Sequence, residues 1–199
     1  MKKVLLLAVM CLNCICVFSQ KKIDSWSCSY FNNEYDIECS TKLDKNGEFE
    51  LYIGVSGDSK NSKINLNISS RDIPQLIDFL NNIKLKFAEW SEIAKENSVT
   101  DTSKNMDFIS PKLTVCWLGS EWFFSFNQRL TPKFIVLEDG TCIISMYKKV
   151  TASTNRYIDK KIYWVFSSQE EIDELITKIQ PEIIKEKLKK EQKASELFT

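Results

Sequence analysis

The chain of 199 residues has no histidine, only five glycines and four prolines. The missing imidazole excludes Ser-His-Asp and Cys-His nucleophilic systems, histidine acid–base chemistry and most zinc sites. Scarce glycine leaves no phosphate-cradling loop. No paired CxxC spacing supports a cysteine-only metal site. Asp36, Glu38 and Asp44 lie on a strand-turn stretch without the ligand spacing of a calcium loop. No cofactor is therefore implied. Arginine is also rare: Arg71, Arg129 and Arg156 are scattered. A nucleic-acid partner is not expected, because that role needs a clustered basic face to displace counterions.

What is present begins with an export signal. Lys2 and Lys3 precede an apolar stretch from Val4 to Phe18, broken only by Asn13. Val17 and Ser19 then satisfy the small-residue rule for a cut ahead of Gln20. Residues 1–19 read as a cleavable signal peptide, which makes the mature protein periplasmic or secreted. A lipid anchor fits less well. Cys11, Cys14 and Cys16 follow Met10, Asn13 and Ile15, none of them the small residue such a cut prefers. No later apolar run approaches the length of about 20 residues that a membrane helix needs, so no transmembrane span is expected in the mature chain.

Cleavage changes the composition. Losing Lys2 and Lys3 leaves 25 basic against 27 acidic residues, a net charge of −2. Cys28, Cys39, Cys116 and Cys142 remain. In an oxidising compartment they permit two disulfides in any of three connectivities, or they serve as buried thiols in strands. A mature chain of about 180 residues suits one domain or two small ones.

A sequence pattern recurs. Ile64–Ser70 and Ile162–Ser168 each alternate apolar and polar residues and end on a Ser-Ser pair. Acidic residues and an apolar helical period follow both times. The serines predict helix N-caps, with Asp72 and Glu170-Glu171 suiting the positive first turn. Upstream, Asn46-Gly47 and Asp139-Gly140 predict hairpin turns. A type I turn plus glycine bulge sets Leu43 opposite Phe49 and Thr41 opposite Leu51. It likewise sets Val136 opposite Cys142 and Phe134 opposite Ile144. Asn32-Asn33 and Gly119-Ser120 predict earlier hairpins in each half.

The expected fold is therefore α+β: a tandem duplication of a ββββα unit forming one antiparallel sheet with two helices on one face. The first repeat covers residues 20–98, a polar linker 99–111, and the second repeat 112–199 with a charged C-terminal helix. The layout is similar to TBP-like and helix-grip folds, a similarity of arrangement that implies no activity. Ile73, Leu76, Ile77, Leu80 and Ile83 mark the first helix, continuing through Phe87 and Trp90. Ile172, Leu175, Ile176 and Ile179 mark the second, and Pro181 kinks it or starts another.

The strand register divides the two halves. Phe134, Val136, Cys142, Ile144, Met146, Ile162, Trp164 and Phe166 are expected toward the helices. Ile135, Leu137, Ile143, Tyr147, Tyr163 and Val165 then form an apolar outer face in the second half. The first half presents Lys42, Asp44, Glu48, Glu50, Tyr52, Asn65 and Asn67 outward. An exposed apolar patch with tyrosines marks an interface or ligand groove. The leading expectation is a secreted, non-catalytic binding protein of the bacterial envelope. Those six residues would contact a protein partner or a second copy; a glycan on an aromatic platform is a narrower version. The alternative is a histidine-free hydrolase with paired carboxylates, drawn from Asp36, Glu38, Glu48 and Glu50 and acting on a glycan. A third reading, a small apolar ligand held between sheet and helices, requires an enclosed cavity that Trp90, Trp164 and Phe166 would fill.

Overall fold

Alternating apolar and polar residues produce eleven strands among the residues described by the computed structural model, which are 20–41, 43–58 and 62–196. The signal segment 1–19 lies outside them. Strands β1 (Gln20–Cys28) and β2 (Asn33–Ser40) form a hairpin through a 3-10 turn at Ser29–Phe31. Then come β3 (Glu50–Gly54), β4 (Ser56–Gly57), β5 (Ile64–Ser69) and the helix α1 (Ile73–Glu96). The second half contains β6 (Thr102–Asn105), β7 (Leu113–Leu118), β8 (Trp122–Gln128), β9 (Lys133–Val136), β10 (Cys142–Ala152) and β11 (Asn155–Phe166). Helices α2 (Gln169–Lys178) and α3 (Pro181–Glu196) close the chain. Among the described residues no helix is long and apolar enough to cross a membrane.

The fold is α+β and mostly antiparallel sheet, as expected, but the strands form two sheets rather than one. The first runs β1-β2-β3-β5-β7-β8 and the second β4-β11-β10-β9-β6. Two local features divide them. At Val55 the chain steps from β3 in the first sheet to β4 in the second, and Gly57 makes the step tight. A Cβ there would sit 2.2 Å from Ile64 Cδ1, so a side chain would displace Ile64. Between β8 and β9, Leu130 N–H donates to Ser110 Oγ, while Pro132 offers its carbonyl to Met106 N–H and has no N–H to extend a ladder. The stretch between the Gly119 and Gly140 turns is thus two strands, β8 and β9, in different sheets. The expected linker also contributes a strand, β6, which pairs with β9.

Hairpin geometry follows the glycines. Gly47 and Gly140 have φ of 75° and 84°, the left-handed region that glycine enters without steric cost. In the second hairpin Val136 opposes Cys142 and Phe134 opposes Ile144, as the turn type predicts. The first differs: Leu51 pairs with Cys39 rather than Thr41. Asp44 N–H still bonds Glu48 O at 2.7 Å, as the turn type requires, while Ser40 Oγ takes the Glu50 N–H.

The helix starts also diverge. Ser168 caps α2, accepting Glu171 N–H at 3.3 Å. Ser70 caps nothing; its hydroxyl accepts Phe49 N–H and donates to Glu48. Asp72 occupies the N-cap of α1 without a side-chain bond, and Pro74 in the first turn leaves one fewer donor to satisfy. Pro181 starts α3, which buries Ile184 and Leu188.

The core lies between the sheets and beneath α1 and α2. Trp26 from the first sheet meets Phe166 from the second at 5.4 Å, and its indole N–H donates to Gly54 O. Phe87 and Trp90 of α1 pack edge-on against Phe134. Ile144, Met146, Ile162, Trp164 and Phe166 are buried on this side as expected, while Cys142 is half-buried. None of Cys28, Cys39, Cys116 and Cys142 enters a disulfide; Cys28, Cys39 and Cys116 are buried thiols, the second of the two readings of these cysteines. Burial raises the Cys28 thiol to about 11 and the Cys116 thiol to about 12. Both stay protonated and inert at neutral pH.

Candidate functional site: an aromatic ledge beside a groove

The outer faces of the two sheets differ in chemistry. On the first, β2, β3 and β5 place Asp36, Glu38, Glu50, Tyr52, Asn65 and Asn67 on one face, but Tyr52 and Asn65, expected outward, are buried there with Glu38; Lys42 lies outside the described residues. Lys63 Nζ lies 2.6 Å from Glu38 Oε1, and Asn65 Nδ2 donates to Glu38 Oε2 at 3.3 Å. Asn67 Nδ2 donates to Glu50 at 2.9 Å, and Lys22 pairs with Asp36 at 2.6 Å. Tyr52 is buried, which pushes its phenol up to about 12.

Each carboxylate proposed for hydrolysis therefore has its own partner: Asp36 with Lys22, Glu38 with Lys63, Glu50 with Asn67 and Glu48 with Ser70. A general acid needs a raised pKa, yet every displaced carboxylate pKa among the described residues is lowered. The Lys160 ammonium at 2.7 Å holds Asp58 down, and the Lys149 ammonium does the same for Asp159. Glu171 is buried and accepts Ser29 N–H and Ser167 N–H, each at 2.7 Å, with the Ser29 hydroxyl. That carboxylate ties the β1–β2 turn to the start of α2. Among the described residues no cluster of His, Cys, Asp or Glu could hold a metal.

On the second sheet the six predicted residues share one face, because Ile135 pairs with Ile143 and Tyr147 with Tyr163, with Val165 two residues further along β11. They are not equally accessible. Ile143 and Val165 are each only 2 % exposed, so neither can be an open contact. The chain itself covers the Val165 end of this face: Cys28 Sγ donates to Val165 O at 3.3 Å, and Phe31 meets Tyr163 edge-on at 6.5 Å. Ile135 and Leu137 are half-buried and line a shallow open depression at the β6–β9 end, with Ser103 and Lys133.

Tyr147 and Tyr163 remain as a pair. Their rings lie 5.1 Å apart, and Tyr147 is 51 % exposed. Phe31 extends the row, and Tyr30 stands edge-on to it at 5.0 Å, 45 % exposed. Tyr30, Phe31, Tyr163 and Tyr147 form a continuous aromatic ledge. Tyr30 and Phe31 were absent from the predicted set. Their signal was two adjacent aromatics in a hairpin turn, where small polar residues are the usual choice.

Phe31 also walls a groove of about 580 Å³ between the β1–β2 hairpin and the sheet crossing. Asn33, Asp36, Ser56 and Lys63 are among its other lining residues. Comparison of the chain with family models, curated proteins and solved structures returned no match. The geometry alone carries the functional reading.

Proposed function

We propose that the protein is an exported, non-catalytic binding protein of the bacterial envelope that contacts a protein partner through the ledge of Tyr30, Phe31, Tyr163 and Tyr147. The observation that carries this reading is the continuity of four aromatic rings, two of them about half exposed, on a face whose neighbouring positions are already covered. Aromatic side chains bring large contact area at low entropic cost and recur as interface anchors. The separately neutralised carboxylates of the first sheet favour binding over hydrolysis. Of the six residues expected from sequence, Tyr147 and Tyr163 belong to this contact, with Ile135 and Leu137 at its periphery.

Export rests on the Lys2-Lys3 and apolar pattern. Descent of the two halves from one ββββα unit belongs to the same proposal. Its support is the pair of glycine turns closed by equivalent bonds. Gly47 N–H meets Asp44 O and Gly140 N–H meets Leu137 O, each at 3.0 Å.

Hydroxyl-radical footprinting tests the contact. Tyr30 and Tyr147 should be oxidised freely in the purified chain and protected in intact envelopes. Equal oxidation in both settings, with the chain present in the envelope fraction, would remove the ledge as a binding face.

A further inference from the structure

We infer that the groove beside the ledge is a subsite for a neutral, polyhydroxylated ligand, a short stretch of glycan. This goes beyond the protein contact and does not depend on it. Its volume of about 580 Å³ falls within the range of small-ligand sites. Three features of the lining identify the ligand class.

The first is an apolar wall. Phe31 stands at the rim, 36 % exposed, and offers a ring to the carbon-bound hydrogens of a sugar. The second is hydrogen-bonding capacity left open by the fold. The side chains of Asn32, Asn33 and Ser56 make no hydrogen bond among the described residues. An amide supplies donors and an acceptor side by side, which suits adjacent hydroxyls that both give and take protons.

The third is charge mostly cancelled within the protein. Asp36 is held by Lys22 and Lys63 by Glu38, each at 2.6 Å. Glu34 keeps its charge and accepts the Ser25 hydroxyl, with lone pairs left for a ligand hydroxyl. An anionic ligand finds no free cation among the described groove residues. A wholly apolar ligand would leave the amides dehydrated and unpaired, which is costly. A neutral ligand rich in hydroxyl groups meets all three conditions.

Calorimetric titration of the full mature chain tests the assignment. The probes are neutral tetrasaccharides of glucose, N-acetylglucosamine and xylose, with an oligogalacturonate and tetralysine as charged controls. At least one neutral tetrasaccharide should bind. Asn33→Ala should weaken it about three- to tenfold, the loss of one hydrogen bond. Phe31→Ala should weaken it about tenfold or more. Tyr147→Ser, which alters the ledge away from the groove, should leave it unchanged, so failure of the two readings is separable. Circular dichroism confirms that each variant is folded, and amide NMR shifts on titration should map to 33–36 and 56–57. Absence of neutral-sugar binding by the folded chain would overturn the inference. So would preference for either charged control, or binding indifferent to both groove substitutions.

Discussion

The two outer sheet faces solve opposite problems. On the first, polar groups crowd together and satisfy one another: Glu38 takes Lys63 and Asn65, and Glu50 takes Asn67. On the second, Tyr147 and Tyr163 continue a row of aromatic rings that starts with Tyr30 and Phe31 of the β1–β2 turn, and Tyr147 and Tyr30 stand in solvent. A polar face that is internally paired has little left to offer a partner. An aromatic face left open retains the free energy of desolvation for a later contact. The difference locates the binding reading in the second sheet, even though the first carries more ionisable chemistry.

The largest expected effect breaks the junction that holds the ledge to the fold. Glu171→Ala removes the acceptor of Ser29 N–H and Ser167 N–H. Bonds to a charged group are each worth about 1.5–3 kcal/mol, so chemical denaturation should show a loss of about 3 kcal/mol. Footprinting should also show Tyr30 and Phe31 loosened before the remainder of the fold. A stability equal to that of the natural chain would show that the carboxylate does not anchor the turn.

A smaller effect is expected on the polar face. Glu38→Ala strands the amide of Asn65, which is 2 % exposed, whereas Lys63 can turn its ammonium to water. One buried donor left unpaired costs about 1–3 kcal/mol. The unfolding midpoint should fall accordingly, while partner binding by the ledge stays intact. Loss of ledge binding without loss of stability would reverse the roles assigned to the two faces.

Much of the scaffold was legible in the sequence, for local reasons. The spacing of Ile73, Leu76, Leu80 and Ile83 is a helical period, and these residues are buried in α1. The glycine turn at Asp139-Gly140 determined the register of β9 against β10 because a two-residue signal fixes a two-strand pairing. What escaped was non-local. Ser70 resembles Ser168 in its neighbourhood, yet tertiary contacts draw it to Phe49 and Glu48 instead of a helix end. Alternation placed Ile143 and Val165 on the correct face without revealing that other parts of the chain cover it. The same limit hid Phe31, which joins Tyr163 across 132 residues of sequence only through the folded hairpin. Division into two sheets followed from the crossing at Val55 and from Pro132, neither of which alters the alternating pattern.

The smallest effect on stability and the largest on function should coincide at Tyr147. An exposed tyrosine replaced by serine changes stability by within about 0.5 kcal/mol. The decisive measurement places a photo-cross-linking amino acid at Tyr147, and in a control chain at exposed Lys95 on α1, with each chain expressed in a bacterial envelope. The account predicts a discrete adduct of one mass from position 147, to a partner or to a second copy, and none from position 95. No adduct from 147, or the same adducts from both positions, would contradict it.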